Sequence, residues 1–224
     1  MKLRILSLIS VLMLSFTTLT ACGSANSKKI LGSQANTSNT TSNLQVDSQT
    51  AFEEKFAGVE KLDDGPLLYI KDTEASAGEY AEVTLAVKNA NLKWNMCGIH
   101  ITFPNVLDCK TIKEGVKDVS CTAGDALFAE IDHVSMEWQQ NLTDELINKE
   151  LGSVFFTALF DGNNGLDGDI ATFYFKIPED AQQGTTYEIG FYYMNTDIFS
   201  NAENDPAFER YAFENWESGT ITVK

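Results

Sequence analysis

The chain has 224 residues, 16 basic against 32 acidic side chains for a formal charge of -16, and a hydrophobic fraction of 43%. That length allows one ordinary domain with a sizeable core. So acidic a surface repels phosphate backbones and anionic headgroups, which speaks against nucleic acid and against peripheral lipid contact as partners.

The first element is a targeting segment, residues 1–21. Lys2 and Arg4 supply a positive start and residues 5–16 an apolar run, too short for the ~20 helical residues that span a bilayer. The closing Leu19-Thr20-Ala21-Cys22 resembles a bacterial lipobox. That implies cleavage between Ala21 and Cys22, a diacylglyceryl group on Cys22, and a mature protein on the outer side of the cell membrane, held by that lipid alone. Cleavage removes Lys2 and Arg4 and leaves 14 basic against 32 acidic side chains, a charge of -18.

Residues 22–63 follow as a tether. Between Ser33 and Thr50, 11 of 18 residues are Ser, Thr or Asn, so burial cannot offset the entropy of ordering them. A flexible chain from Gly23 to Thr50 has an r.m.s. span of roughly 30 Å. Phe52, Phe56 and Val59 form a weak amphipathic stretch that packs at the entrance of the domain. The folded domain itself is expected over 64–224, as a monomer.

Period-two alternation marks the strands. Leu67 to Lys71 opens the series. Over 81–89, Val83, Leu85 and Val87 share one face against Glu82, Thr84 and Lys88. Over 97–103, Cys97, Ile99, Ile101 and Phe103 alternate with Gly98, His100 and Thr102 up to Pro104. Further runs lie at 126–131, 134–139, 153–160, 170–177, 187–194 and 220–223. Nine short strands between Gly, Asn, Asp and Pro turns predict an all-β, nine-stranded sandwich with short helical insertions. Thr143 caps one such helix through Leu146 and Ile147, stopped by Gly152, and Asp205-Pro206 starts another around Phe208 and Tyr211.

Cys97, Cys109 and Cys121 remain in the mature domain. An odd count leaves either free thiols in a reducing habitat or one bridge plus a buried thiol. No Cys or His spacing suits zinc, and the three read as core cysteines.

Several stretches resemble the cohesin family. Leu67-Tyr69-Ile70, then Ala77-Gly78-Glu79-Tyr80 leading into 83–89, is similar to the cohesin opening of strand, glycine turn and V-x-V-x-N strand. Gly98-Ile99 before Pro104-Asn105-Val106-Leu107-Asp108 resembles the third strand and its D-P-N-V-L-E corner, with Phe103 where the aspartate usually stands. Lys113-Glu114-Gly115 matches the x-x-G that follows. Residues 155–161 and 168–177 resemble the sixth and seventh strands, and Ser218-Gly219-Thr220-Ile221-Thr222-Val223 the terminal G-x-I-x-V strand. The resemblance spans about 160 residues in order.

It implies a jelly-roll sandwich that binds a dockerin, a small calcium-loaded module of cellulosomal enzymes and scaffoldins, through the face of strands 3, 5, 6 and 8. On that face Met96, Gly98, His100 and Thr102 point outward from the third strand. If Val154, Phe156 and Ala158 point inward, Phe155, Thr157 and Leu159 point outward from the sixth; a slip of one residue would invert the whole set. An outward Phe and Leu suit a partner site.

The run Asp161 to Asp169 alternates oxygen donors like a calcium loop, but Leu166 holds the position that requires glycine and Thr172 the position of the bidentate glutamate, so it reads as a plain turn. No metal or cofactor is expected. His100 and His133 lack a nucleophile or metal partner in any familiar spacing, and nothing singles out a carboxylate pair, so no enzyme is expected. The alternative is a carbohydrate-binding module of the same fold class, stacking sugars on Trp94, Trp138 and Trp216.

Overall fold

Two sheets face each other across one apolar layer. The computed structural model describes residues 47–108, 121–127 and 143–224, and the backbone of 133–139. The expected targeting segment with Cys22, most of the expected tether, Cys109, the 113–115 match, residues 128–131 of the strand expected at 126–131, and the side chains of His133 and Trp138 lie outside the described residues.

In chain order the described elements are α1 (Ser48–Lys55), β1 (Leu67–Ile70), β2 (Thr73–Ala75), β3 (Tyr80–Lys88), β4 (Met96–Pro104), β5 (Cys121–Ala123), β6 (His133–Gln139), α2 (Asp144–Asn148), β7 (Leu151–Leu159), β8 (Gly168–Lys176), β9 (Thr186–Phe191), β10 (Ile198–Ser200), α3 (Pro206–Glu214) and β11 (Gly219–Val223). One sheet has the order β1-β3-β8-β5, the other β2-β11-β9-β4-β7-β6, with β10 added onto β4. β2 and β11 run parallel. The chain passes repeatedly from one sheet to the other, the winding of a jelly-roll sandwich.

Alternation explains the layer. Ala81, Val83, Leu85 and Val87 of β3 are buried while Glu82 and Lys88 are exposed. From the second sheet Cys97, Ile99, Ile101 and Phe103 of β4 and Val154, Phe156 and Ala158 of β7 enter the same layer. Phe156 meets Phe173 edge-on at 5.9 Å, and Phe103 lies 4.9 Å from Phe175. The register expected for 153–160 is therefore the one observed.

Four expectations are corrected. The folded body begins at Asp47 rather than 64, because α1 packs on it: Asp47 accepts the Thr50 N–H, Phe52 and Phe56 gather round Tyr193, and Lys55 pairs with Glu209 at 2.8 Å. Ala126 and Leu127 lie in a turn after β5, not in a strand, where Ala126 N–H donates to the Asp169 carbonyl. The run expected at 187–194 ends at Phe191, and the chain leaves the sheet over 192–197 before returning as β10. Helix α2 is capped by Thr143 as expected but ends at Asn148, with Lys149 as its C-cap and Glu150 at φ 55. Gly152 lies in β7, where a Cβ would meet Phe103 Cε2 at 2.9 Å.

Candidate functional site

Strands β4 and β7 pair so that Met96 lies opposite Leu159, Gly98 opposite Thr157, and His100 opposite Phe155. Opposed residues of an antiparallel pair share a face, so these six residues form three rows on the outer side of the second sheet. β6 extends the rows in register with His133, Ser135 and Glu137. β10 extends two of them on the other side, setting Ile198 opposite Gly98 and Ser200 opposite Met96.

Exposure divides the expected site. Met96, Phe155, Thr157 and Leu159 are half-buried, whereas His100 and Thr102 are only 3% and 6% exposed and Gly98 is buried as well. The open row of His100 and Thr102 is therefore not what the structure has. Residues 198–200 run beside β4 as β10, and Asp197 and Phe155 close on the His100 ring. Ile198, Phe155 and Thr157 converge above Gly98, where an added Cβ would meet Ile198 Cγ2 at 3.1 Å and Phe155 Cζ at 3.4 Å. Thr102 lines the floor of a cleft of about 380 Å³ between α1, α2 and β9, shared with Ser48, Gln49, Glu145, Lys149 and Tyr192.

His100 has a partner that its sequence position did not announce. Its Nδ1 lies 2.5 Å from Asp197 Oδ1, with both side chains buried. The same carboxylate accepts the backbone N–H of His100 at 3.4 Å and of Met194 at 3.2 Å. Burial pushes the Asp197 carboxyl above the usual carboxylate range, against the opposing pull of the His100 hydrogen bond. Phe155 lies over the imidazole. Asp197 and Ile198 carried no local pattern; the one sequence signal was Gly98, since a glycine inside a strand marks a close approach of other groups.

The remaining candidates fall elsewhere. Trp94 is wholly buried, packed on Phe199 at 5.2 Å and Phe160 at 5.1 Å, and donates Nε1–H to the Leu166 carbonyl. It cannot contribute to an exposed sugar platform. Trp216 stacks on Phe191 at 4.8 Å. In the 161–169 turn, Asp167 accepts the Ala90 N–H at 2.6 Å, Asn163 accepts that of Ala202, and Asp169 pairs with Lys71. Among the described residues no group of three His, Cys, Asp or Glu is arranged to hold a metal ion. Cys97 and Cys121 are free thiols; burial raises both, Cys121 to about 11.

No protein-family model matches the sequence, and no curated protein matches it. Solved structures do. The type III cohesin module of the cellulosomal ScaE cell-surface anchoring scaffoldin of Ruminococcus flavefaciens is 25% identical, with a TM-score of 0.60 over 72% of this chain and 89% of that one. The sixth cohesin of scaffoldin B from Acetivibrio cellulolyticus, solved with a dockerin, is 16% identical, with a TM-score of 0.53 over 72% of this chain and 100% of that one. A type I cohesin of Clostridium thermocellum, also in a dockerin complex, is 15% identical, with a TM-score of 0.51 over 74% and 97%. The last two likenesses are of fold.

Proposed function

We propose that this chain, similar in fold and sequence to a type III cohesin module, acts as a cohesin: it binds a calcium-loaded dockerin through the outer face of β4, β6 and β7, as a binding module and not as an enzyme. The observation that supports this most is the outward patch of Met96, Phe155, Thr157 and Leu159, half-buried and without formal charge at its centre. Such a centre is where protein interfaces concentrate their binding energy. With cleavage before Cys22 and lipid on that residue, the protein is a surface dock, holding dockerin-bearing enzymes or scaffoldins to the outside of the cell. Among the described residues no helix is long and apolar enough to cross a membrane.

The test is a panel of calcium-loaded dockerins run beside insoluble polysaccharides. Expected is binding to a dockerin, abolished by chelator, with the melting temperature of the isolated protein unchanged by chelator. Retention on polysaccharide with no dockerin bound would replace this reading with the carbohydrate-binding one. For the anchor, Cys22→Ser should move the protein out of the detergent phase; unchanged partitioning overturns the lipid assignment.

A further inference from the structure

β4 changes neighbour along its length. β9 pairs with β4 only at Ile101 and Thr102, and β10 takes over at Gly98, Cys97 and Met96. Between them Tyr192 N–H donates to the His100 carbonyl at 3.1 Å, and the chain then turns over 194–197 beside the backbone N–H of His100. The Asp197 carboxylate accepts this N–H and that of Met194, and meets the His100 imidazole. Lys55 of α1 donates to the Asp197 carbonyl at 3.1 Å, holding the same loop from outside. A buried ionisable pair is a poor way to gain stability, since apolar groups of similar volume often serve as well. What this pair does specifically is fix where the chain re-enters the sheet, and Ile198 is the next residue.

We infer that His100 and Asp197 are positioning residues for the docking face: together they hold the 192–197 loop down and set Ile198 above Gly98, beside Phe155 and Thr157, as a contact residue for the partner. The inference rests on the reading of this face as the docking surface. Only molecules with the loop held down present the complete patch, so releasing it lowers the apparent affinity by the fraction that remains competent. Phe155 belongs to the same arrangement, because the imidazole on which it lies is held in turn by Asp197.

The test uses the full chain with Asp197→Ala, Asp197→Asn and Ile198→Ala, read by amide hydrogen exchange without partner and by titration with a dockerin that binds the wild type. Asp197→Ala is expected to speed exchange of the His100 and Met194 amides at least tenfold and to weaken docking tenfold or more. Asp197→Asn, whose amide oxygen still accepts both N–H groups, should recover most of both. Ile198→Ala should leave those two amides protected and still weaken docking. Unchanged exchange in Asp197→Ala overturns the pin, and faster exchange with unchanged affinity overturns the positioning role. Should Asp197→Ala not fold, full affinity in Ile198→Ala overturns the proposal by itself. A wild type that binds no dockerin overturns the docking reading and the role in docking with it, while the exchange measurement still reports on the pin.

Discussion

Phe155 lies over the imidazole of His100, ring centroids 4.6 Å apart and planes 31° from parallel. One ring comes from β7 and the other from β4, so this contact ties the half-buried part of the outer face to its buried part. Phe155 is thus split between two tasks, covering His100 and facing outward. Leu159, two rows away and half-buried, has the outward task alone, which makes it the cleaner probe of docking.

Leu159→Ala is expected to weaken dockerin binding about tenfold or more, at least ~1.4 kcal/mol, with little change in melting temperature. Calorimetric titration and thermal unfolding of the same sample separate the two effects. A loss of about 2 to 5 kcal/mol of folding stability would mark Leu159 as a core residue instead.

The helix ahead of the sandwich should be part of the fold. Phe56 is 3% exposed, with its ring 4.9 Å from Phe52 and 6.0 Å from Tyr193. Phe56→Ala is expected to cost about 3 kcal/mol, read by urea unfolding. A chain beginning at residue 64 should lose stability comparably; equal midpoints for the two lengths would return α1 to the tether.

Gly165 is required by Trp94. An added Cβ there would stand 2.1 Å from Trp94 Cε2, and the indole cannot retreat from Phe160, Phe199 and the Leu166 carbonyl. Gly165→Ala should therefore destabilise by about 3 kcal/mol, the upper part of the overpacking range. Thermal unfolding decides it, and a near-neutral result would place Trp94 in a looser site.

The two described thiols should be slow to react. Burial lifts Cys121 to about 11 and Cys97 further still. At pH 7.5 that leaves Cys121 roughly 100-fold less thiolate than an unperturbed cysteine. Iodoacetamide labelling followed by peptide mass mapping should modify Cys121 slowly and Cys97 only on unfolding. Rapid labelling of Cys97 in the native protein would contradict its burial.

Most of the sandwich was legible because alternation is a local property. Val83, Leu85 and Val87, or Val154, Phe156 and Ala158, announce a buried face within a few residues, and Thr143 and Asp205 announce their helices by capping chemistry. The strands β2, β5 and β10 escaped because each has only three residues, too few for a period to repeat. The outward face was legible in register and not in exposure. His100 alternates correctly, but its burial involves Asp197, 97 residues away, and no local pattern encodes so distant a partner. At α1 the apolar positions were legible, and Phe52, Phe56 and Val59 do pack on the domain; only the boundary was misplaced, because polar neighbours signal disorder while the partner, Tyr193, lies far along the chain.

The position of α1 has a mechanical consequence. Its first residues, Ser48 and Gln49, flank the cleft floored by Thr102, and Ser48 Oγ accepts the Tyr193 N–H at the start of the loop beside β4. Any pull entering the domain at Asp47 therefore meets α1 first, and passes along the chain to β1 only once α1 has come away. Force drawn through the N-terminal side would be borne first by the aromatic seat of α1 around Tyr193 and by the contacts of Lys55 with Glu209 and the Asp197 carbonyl.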